Sequence, residues 1–398
     1  MQSHSLYLHI PFCRHRCGYC DFNTFAGLEA LIPGYVGALC AEIAWLAATA
    51  GSRRPIQTIF FGGGTPSLVP AAQFARILQE IGEGFDISEE AEITLEANPE
   101  GLSSDYLSDL RSLGFNRLSL GMQSARPEEL RLLERGHDYL AVLRAVGMAR
   151  EAGFENLNLD LIFGLPYQTL QEWQWSLNLA LEMEPEHLSL YALTLEHGTP
   201  LAHYVGRGLL PEPDPDLAAT MYEWSGERLD AGGYEQYEIS NWARRDDSGE
   251  IRSCRHNLQY WRNQPYLGVG AGAHGYTAGF RTANARPPQG YIQRLEAGPL
   301  SASIERFPIT PATIEINEID RKTEMSETMF MGLRLTRDGI SRRGFEERFG
   351  SPVEEVFGPE IAELVELGLL ESDQPGGDRL RLTSRGRLLG NQVFMRFV

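Results

Sequence analysis

The sequence predicts an α/β protein: a partial (βα)6 TIM-like barrel, followed by a small C-terminal winged-helix-like α+β module. Three observations support this fold class. Six β-rich runs alternate with stretches of helical periodicity, unusual polar and glycine-rich motifs follow the first three runs, and the tail contains helical segments before a β-rich turn. Repeated strand-then-helix order predicts a parallel sheet with right-handed crossovers.

Apolar runs of strand length open the successive repeats. They are LYLHI (6–10), TIFFG (58–62), EITLE (92–96), RLSLG (117–121), NLDLIFG (158–164) and HLSLYAL (187–193). Stretches such as YVGALCAEIAWLAA and LAVLRAVGMAREAG have helical period between them. A cysteine-rich loop follows the first run, GGGTP follows the second and EANP closes the third. Because such barrels gather their chemistry after the strands, we expect a site at this edge.

The alternating strand and helix pattern of the sequence ends after about residue 210, where PEPDPD marks a linker or turn. The stretch 240–290 is rich in Arg, Asn, Gly and aromatic residues without clean periodicity, which is typical of loops that cover a site. The tail segments TEMSETMFMGLRL, SRRGFEERFG and EEVFGPEIAELVELGLL are helical and precede RLRLTSRGRLLG. We therefore predict a barrel at 1–235, a loop-rich binding and connecting region at 236–300, and a C-terminal module at 301–398.

Composition limits the function classes. A chain of 398 residues with 42% apolar residues can fill both cores. No uninterrupted apolar run of about 18 residues occurs, and MQSHSLYLHIPF lacks the features of a signal peptide. These features predict a cytoplasmic protein without a transmembrane segment. The formal net charge of −19 argues against a nucleic-acid partner, so an acidic ligand would need a local basic pocket.

Cysteine spacing raises the central chemical question. Three of the five cysteines lie within eight residues, which argues for reduced thiolates that bind metal; the five are Cys13, Cys17, Cys20, Cys40 and Cys254. Structural zinc usually has four protein ligands, and the nearby His9 and His15 lie in the first strand and inside the loop. A Cys-x3-Cys-x2-Cys loop can instead hold three irons of a four-iron cluster. Spacing alone leaves both metals open.

The cysteine loop together with GGGTP resembles the radical S-adenosylmethionine superfamily. The resemblance implies a [4Fe-4S] cluster on Cys13, Cys17 and Cys20, with S-adenosylmethionine chelating the remaining iron. Glycines at 62–64 would let backbone groups approach a ligand. In isolation a tight turn before a helix explains them equally well, but their place beside the cysteine loop favours ligand binding. The positions that the resemblance implies for S-adenosylmethionine binding are Tyr7, Gly63, Gly64, Thr65, Glu96, Gln123, Arg135 and Asp160.

Longer motifs narrow the resemblance. HIPFCRHRCGYCDF, GGGTPS, LEANPE, NLDLIFGLPYQT and HNLQYW look like the coproporphyrinogen dehydrogenase branch and, within it, the HemW haem chaperones, over essentially the whole chain. The dehydrogenases carry a further cysteine at the position of Phe22 and a substantial N-terminal extension, whereas 12 residues precede Cys13 here. Both departures favour the haem chaperones.

A second group of candidate residues lies in SCRHNLQYWRN, residues 253–263. His256 and Tyr260 would share a helix face, which fits either a packed aromatic patch or a haem site with an imidazole ligand. Nearby arginines would suit the two haem propionates: Arg244, Arg245, Arg252, Arg255 and Arg262. By resemblance, His256 is the expected haem-binding residue. Cys254 is either an inert small residue, an alternative thiolate ligand or a site of covalent haem attachment, and the role of His274 stays open.

Two function classes follow. In the first, the protein is a haem chaperone that binds haem, a [4Fe-4S] cluster and S-adenosylmethionine. It would transfer haem to apo-proteins of the respiratory chain and meet them at the inner face of the membrane. In the second, it is an oxygen-independent coproporphyrinogen III dehydrogenase or another radical enzyme acting on a tetrapyrrole. We assign no catalytic residue, and the resemblance favours the chaperone.

Overall fold

The computed structural model describes residues 3–298, 306–374 and 376–398, which form two compact units. The sheet unit comprises Met1–Ser225 and Pro265–Glu318, and the C-terminal unit comprises Gly226–Gln264 and Ile319–Val398. The segment before residue 265 thus belongs with the tail, and the segment after it returns to the sheet. The division predicted at residues 235 and 300 concerns functional modules and stays a prediction.

The strands of the described residues are β1 (His4–Ile10), β2 (Phe12–Cys13), β3 (Phe25–Ala26), β4 (Pro55–Gly63), β5 (Asp86–Ala97), β6 (Arg117–Gln123), β7 (Leu157–Phe163), β8 (His187–Ala192), β9 (Tyr234–Glu238), β10 (Asn241–Arg244), β11 (Tyr266–Val269), β12 (His274–Thr277), β13 (Phe280–Asn284), β14 (Thr313–Glu318), β15 (Ile340–Ser341), β16 (Leu370–Ser372) and β17 (Arg379–Leu382). The α-helices are α1 (Ile32–Thr49), α2 (Ala71–Gly84), α3 (Ser104–Ser112), α4 (Pro127–Leu132), α5 (Tyr139–Glu151), α6 (Leu170–Glu182), α7 (Pro200–Gly206), α8 (Pro215–Ala231), α9 (Arg255–Trp261), α10 (Pro288–Ala297), α11 (Arg321–Gly332), α12 (Arg342–Phe349), α13 (Val353–Glu366), α14 (Ser384–Leu388) and α15 (Gly390–Phe394).

The sheet unit confirms the predicted partial (βα)6 barrel. Strands β1, β4, β5, β6, β7 and β8 are neighbours in that order and pair in parallel, with helices in each connection. Strand β11 joins the other side of β1 in parallel, and β12, β13 and β14 extend the sheet in antiparallel order. The segment predicted as loops therefore contains short strands, whose four or five residues are too few to show a period.

Alternation along the strands separates an apolar helix-facing layer from a polar interior. In β7, Leu157, Leu159 and Leu161 are fully buried, while Asn158 and Asp160 carry hydrogen-bonded polar side chains. Asn158 Nδ2 donates to Ser119 Oγ on the neighbouring strand over 2.7 Å. The polar side chains of the strands thus point toward the same interior, which prepares it for a polar ligand.

Helix α1 is the most apolar helix of the sheet unit. The stretch Glu29–Thr49 is long and apolar enough to cross a membrane by length and composition, the one such stretch within the described residues. In the fold, its Glu42 is fully buried and accepts hydrogen bonds from Gly270 N, Asn284 Nδ2, Tyr291 Oη and Thr310 Oγ1. A satisfied buried carboxylate in the middle of the helix is typical of a core helix.

The C-terminal unit combines the hairpin β9–β10, helix α9 and the predicted winged-helix-like module. Helices α11, α12 and α13 precede the hairpin β16–β17, as the tail pattern predicts, and the short strand β15 between α11 and α12 pairs antiparallel with β17. Helix α13 is interrupted at Phe357, two residues before Pro359, because proline cannot continue a regular helix. The hydrophobic core of the C-terminal unit includes Met329, Phe345, Leu380 and Phe394.

Candidate functional site

A cavity of about 520 Å³ opens in the sheet unit at the carboxyl ends of the parallel strands. It brings together all three predicted cluster ligands and seven of the eight positions predicted for S-adenosylmethionine; these are Cys13, Cys17, Cys20, Gly63, Gly64, Thr65, Glu96, Gln123, Arg135 and Asp160. These residues come from six separate stretches of sequence. The expected site at the carboxyl edge of the barrel is therefore present.

The three thiols lie on the cysteine loop that leaves β2, and none of them is in a disulfide. Cys13 is buried, and Thr65 Oγ1 donates to its Sγ over 3.6 Å. Arg135 Nη1 lies 3.5 Å from Cys17 Sγ, and Cys20 Sγ lies 3.8 Å from Thr24 Oγ1. Each of the three cysteines thus lines the cavity and has a polar side chain beside its sulfur, which can orient it as a metal ligand.

The glycine loop packs directly on the cysteine loop. A Cβ atom on Gly64 would lie 2.6 Å from Phe12 O and 3.0 Å from Cys13 Sγ, and Gly64 N donates to Ile10 O over 2.8 Å. Gly63 has a φ of +115°, and a Cβ there would lie 2.5 Å from the His9 ring. Glycine at both positions therefore lets this loop pack directly on the cysteine loop and His9, where any side chain would clash.

Three cysteines on one cavity wall fit a cluster that is held by three thiolates and keeps one iron accessible. Across residues 3–298, 306–374 and 376–398, no three His, Cys, Asp or Glu side chains gather closely enough to hold a single metal ion. The fit with the cluster rests on the shared cavity and on the close packing of the glycine loop against Cys13.

Two buried carboxylates face this cavity. Glu96 Oε2 accepts a hydrogen bond from Gly63 N over 3.0 Å, and burial together with the charge of Asp160 raises the pKa of Glu96 to about 7. Burial also raises the pKa of Asp160, although Ser119 Oγ and Asn158 Nδ2 donate to its two oxygens. The cavity therefore holds one carboxyl, that of Glu96, whose charge changes with pH near neutrality.

Arg135 is tied to the loops on both sides of it. Its Nη2 donates to Asn98 Oδ1 over 2.7 Å and to Gly121 O over 3.0 Å, while Asn98 Nδ2 donates to Thr65 Oγ1 over 3.4 Å. Asn98 was not predicted as a site residue, although its place in LEANP, two residues after Glu96, is the signal that could have revealed it. The Asn98 side chain links the guanidinium to the glycine loop.

Tyr7 is not among the residues that line the cavity. Its Oη lies 2.9 Å from His9 Nδ1, and its ring stacks on Phe60. Because His9 Nε2 donates to Asn23 O over 3.0 Å, Nδ1 is the acceptor of the Tyr7 hydroxyl. Burial lowers the pKa of His9, which agrees with a neutral ring. Tyr7 thus supports His9, and His9 in turn lies against Gly63.

The C-terminal unit contains the second predicted group of residues. Residues 255–261 form helix α9, so His256 and Tyr260 share a face as expected. His256 is 1% exposed, its Nε2 lies 3.0 Å from Tyr260 Oη, and the two rings meet edge to face. This conformation is the packed aromatic patch, and an iron bond at Nε2 requires the contact with Tyr260 to break.

The arginines expected to hold haem propionates have other partners. The Arg244 guanidinium stacks over the Tyr234 ring. Three others form ion pairs: Arg245 with Glu235, Arg252 with Asp246 at 3.3 Å and Arg262 with Asp338 at 3.1 Å. Sequence proximity therefore does not gather them into one anion site. Cys254 is fully buried just before α9, and His274 is exposed on β12 of the sheet unit.

Comparison with known proteins identifies the family. The Radical SAM superfamily profile matches residues 7–180, and the HemN C-terminal domain profile matches residues 319–389. The heme chaperone HemW of Bacillus subtilis is 38% identical over 396 residues, which cover 99% of each chain. The chain belongs to the HemW family. The HemW protein of Mycobacterium tuberculosis is also 38% identical, over 98% of this chain and 94% of that protein.

A solved structure has a similar fold over the whole chain. Coproporphyrinogen III oxidase (HemN) from Escherichia coli, described as a radical SAM enzyme, is similar with a TM-score of 0.81 and 25% identity. The similarity covers 100% of this chain and 90% of HemN. The partial barrel and the C-terminal module thus both have counterparts in one protein.

Proposed function

We propose that this HemW family member is a haem chaperone, which binds haem and passes it to apo-acceptor proteins. The observation that carries the proposal is the 38% identity over 99% of both chains with a protein named a heme chaperone. The cavity of the sheet unit supports the cofactor part, because it unites the three thiols with the polar residues of five further stretches. We assign the protein to the cytoplasm, with acceptors in the respiratory chain at the inner face of the membrane.

In the proposed site, Cys13, Cys17 and Cys20 hold the [4Fe-4S] cluster. When bound, the cluster supplies an iron that the amino and carboxylate groups of S-adenosylmethionine can chelate. Gly63, Gly64, Thr65, Glu96, Gln123, Arg135 and Asp160 bind S-adenosylmethionine, with Glu96 near the ribose. Tyr7 acts through His9 rather than by direct contact, since its hydroxyl is donated to His9 Nδ1.

The haem function is tested with the full-length chain under anaerobic conditions. After reconstitution with iron and sulfide, we expect stoichiometric haem binding, measured by absorption, and no catalytic consumption of coproporphyrinogen III. Catalytic oxidation of coproporphyrinogen III without haem binding would reverse the assignment in favour of the dehydrogenase.

Phe22 provides a test of the boundary between the two functions. It lines the cavity and is 63% exposed, at the position where the dehydrogenases carry a cysteine. We expect Phe22→Cys to retain the parent's iron content and to gain no coproporphyrinogen decarboxylation, because one side chain does not supply a substrate site. Product analysis by chromatography checks this, and appearance of the decarboxylated porphyrinogen would contradict it.

Binding of S-adenosylmethionine is expected to depend on pH through Glu96. Its pKa of about 7 means that the carboxyl is mostly protonated at pH 6 and mostly ionised at pH 8. The ionised form is the stronger acceptor for ribose hydroxyls, so the Kd should fall by about tenfold as pH rises through this range. Isothermal titration calorimetry of the reconstituted protein at pH 6 and pH 8 measures this Kd.

A matched pair of variants assigns this pH dependence. Glu96→Gln should bind S-adenosylmethionine weakly at both pH values, whereas Glu100→Gln, on the neighbouring cavity of about 260 Å³, should retain the parent's profile. Iron content is measured in each sample. A parent Kd that is the same at pH 6 and pH 8 with equal iron content would show that Glu96 does not bind this ligand.

A further inference from the structure

The C-terminal unit contains a groove of about 340 Å³ between α9, α11, α12 and the small sheet. Its lining includes Trp261, Arg262, Ile340, Phe345, Arg348 and Arg379. We propose that this C-terminal groove binds the carboxylate edge of haem, that is, its two propionates. The inference rests on the proposed haem function and assigns the anion-binding part to residues that the sequence did not group together.

Charge is the first argument. Three arginines and one acidic residue, Asp338, line the groove within the described residues, in a chain whose formal net charge is −19. Arg262 directly follows α9, Arg348 belongs to α12 and Arg379 begins β17. Arg348 is paired with Glu324 at 2.6 Å and also donates to Arg262 O and Asn263 O, so Arg262 and Arg379 are the groove arginines that keep donors for a ligand. Planar guanidinium groups bind carboxylates through paired hydrogen bonds, and two such groups fit a ligand with two carboxylates.

The arginines are positioned by neighbours that leave some of their donors available. Arg262 Nη2 donates to Asp338 Oδ2 over 3.1 Å, and the described residues offer no acceptor to its Nε or Nη1. Arg379 Nη1 donates to Asp338 O over 3.3 Å, and its Nε lies 3.5 Å from Asp378. Both side chains are about half-exposed, so a ligand can reach them from solvent. A guanidinium has five N–H donors, and these contacts use fewer.

The apolar part of the lining suits the adjoining edge of a macrocycle. Trp261 is the partly exposed member of this surface, and Leu335, Ile340 and Phe345 lie buried beneath it. Arg334 stacks over the Trp261 ring at 4.6 Å and holds its orientation. The indole Nε1 of Trp261 is buried and has no acceptor among the described residues, which is uncommon for a buried donor. A planar molecule with an apolar body and an anionic edge matches this combination.

The groove also relates to the predicted haem-binding residue through one short helix. His256 and Trp261 both belong to α9, but Trp261 lines the groove and His256 does not. The imidazole and the propionate site are therefore separate contacts on the same seven-residue helix. Two variants that affect one contact each can distinguish them.

The test compares ferric haem with its dimethyl ester, which keeps the macrocycle and iron but lacks both carboxylates. Absorption titrations use the full-length chain and three variants. We expect the parent to bind haem about tenfold more tightly than the ester, and the Arg262→Gln/Arg379→Gln double variant to lose this preference. Arg343→Gln is the control, because Arg343 is 83% exposed on α12 and lies outside the groove lining.

A variant that keeps both arginines tests the groove even if the double variant fails to fold. Asp338→Asn removes the carboxylate that competes for Arg262, so it should tighten haem binding by about threefold. Equal affinity of the parent for haem and its ester, or an unchanged preference in the double variant, would overturn the groove proposal while haem binding stands. Failure of the parent to bind haem at all would instead reject the chaperone function, and the groove proposal with it.

Discussion

Serine at Cys13, Cys17 or Cys20 is expected to abolish the iron–sulfur chromophore after anaerobic reconstitution. Each thiol supplies one of three protein bonds to the proposed cluster, and a serine hydroxyl is a poor substitute for a thiolate with iron. The other two cysteines, Cys40 and Cys254, do not line this cavity, so neither can replace a lost ligand there. Iron and sulfide analysis, together with the visible absorption spectrum of the cluster, measures the loss of the chromophore.

Cys40→Ser is the matched control for this prediction. Cys40 is half-buried in helix α1 and does not line the cavity, so its serine variant should keep the parent's iron content. Stoichiometric zinc without iron in the reconstituted parent would refute the cluster. Such a result would restore the structural zinc site that the cysteine spacing leaves open.

The sequence pattern located the parallel strands because each is a run of buried residues bounded by turns. Strand β7, for example, has six buried residues out of seven. It did not locate β11, whose four residues are fixed by pairing with β1, where Leu6 lies opposite Leu267. That pairing joins segments more than 250 residues apart, and local periodicity contains no information about it.

The candidate site shows the same limit at the level of side chains. Motifs identified Glu96 and Arg135, but the link through Asn98 depends on the distance between two loops. The arginines of 244–262 were grouped by sequence proximity, whereas Arg262 forms its ion pair with Asp338, which is 76 residues away in the sequence. Ion pairs formed by tertiary contacts decide which cationic side chains remain available to a ligand.

His256→Ala is expected to remove most haem binding while the iron–sulfur cluster is retained. The imidazole is the proposed iron ligand in the C-terminal unit, and the cysteine loop belongs to the sheet unit. Loss of one axial bond should weaken haem binding by at least about a hundredfold, equivalent to roughly 3 kcal/mol. Haem titration and iron analysis of the same preparation provide both measurements, and undiminished haem affinity would contradict the role of His256.

Tyr260→Phe separates a ligand role for His256 from a purely structural one. In the structure, the Tyr260 hydroxyl lies 3.0 Å from His256 Nε2 and competes with iron for that nitrogen. Phenylalanine keeps the edge-to-face ring contact at 5.1 Å but removes the hydroxyl. If Nε2 binds iron, Tyr260→Phe should bind haem as tightly as the parent or several-fold more tightly, since breaking a hydrogen bond of about 1 kcal/mol no longer opposes ligation. If His256 only packs the helix, both His256→Ala and Tyr260→Phe should lower the unfolding temperature without a selective change in haem affinity.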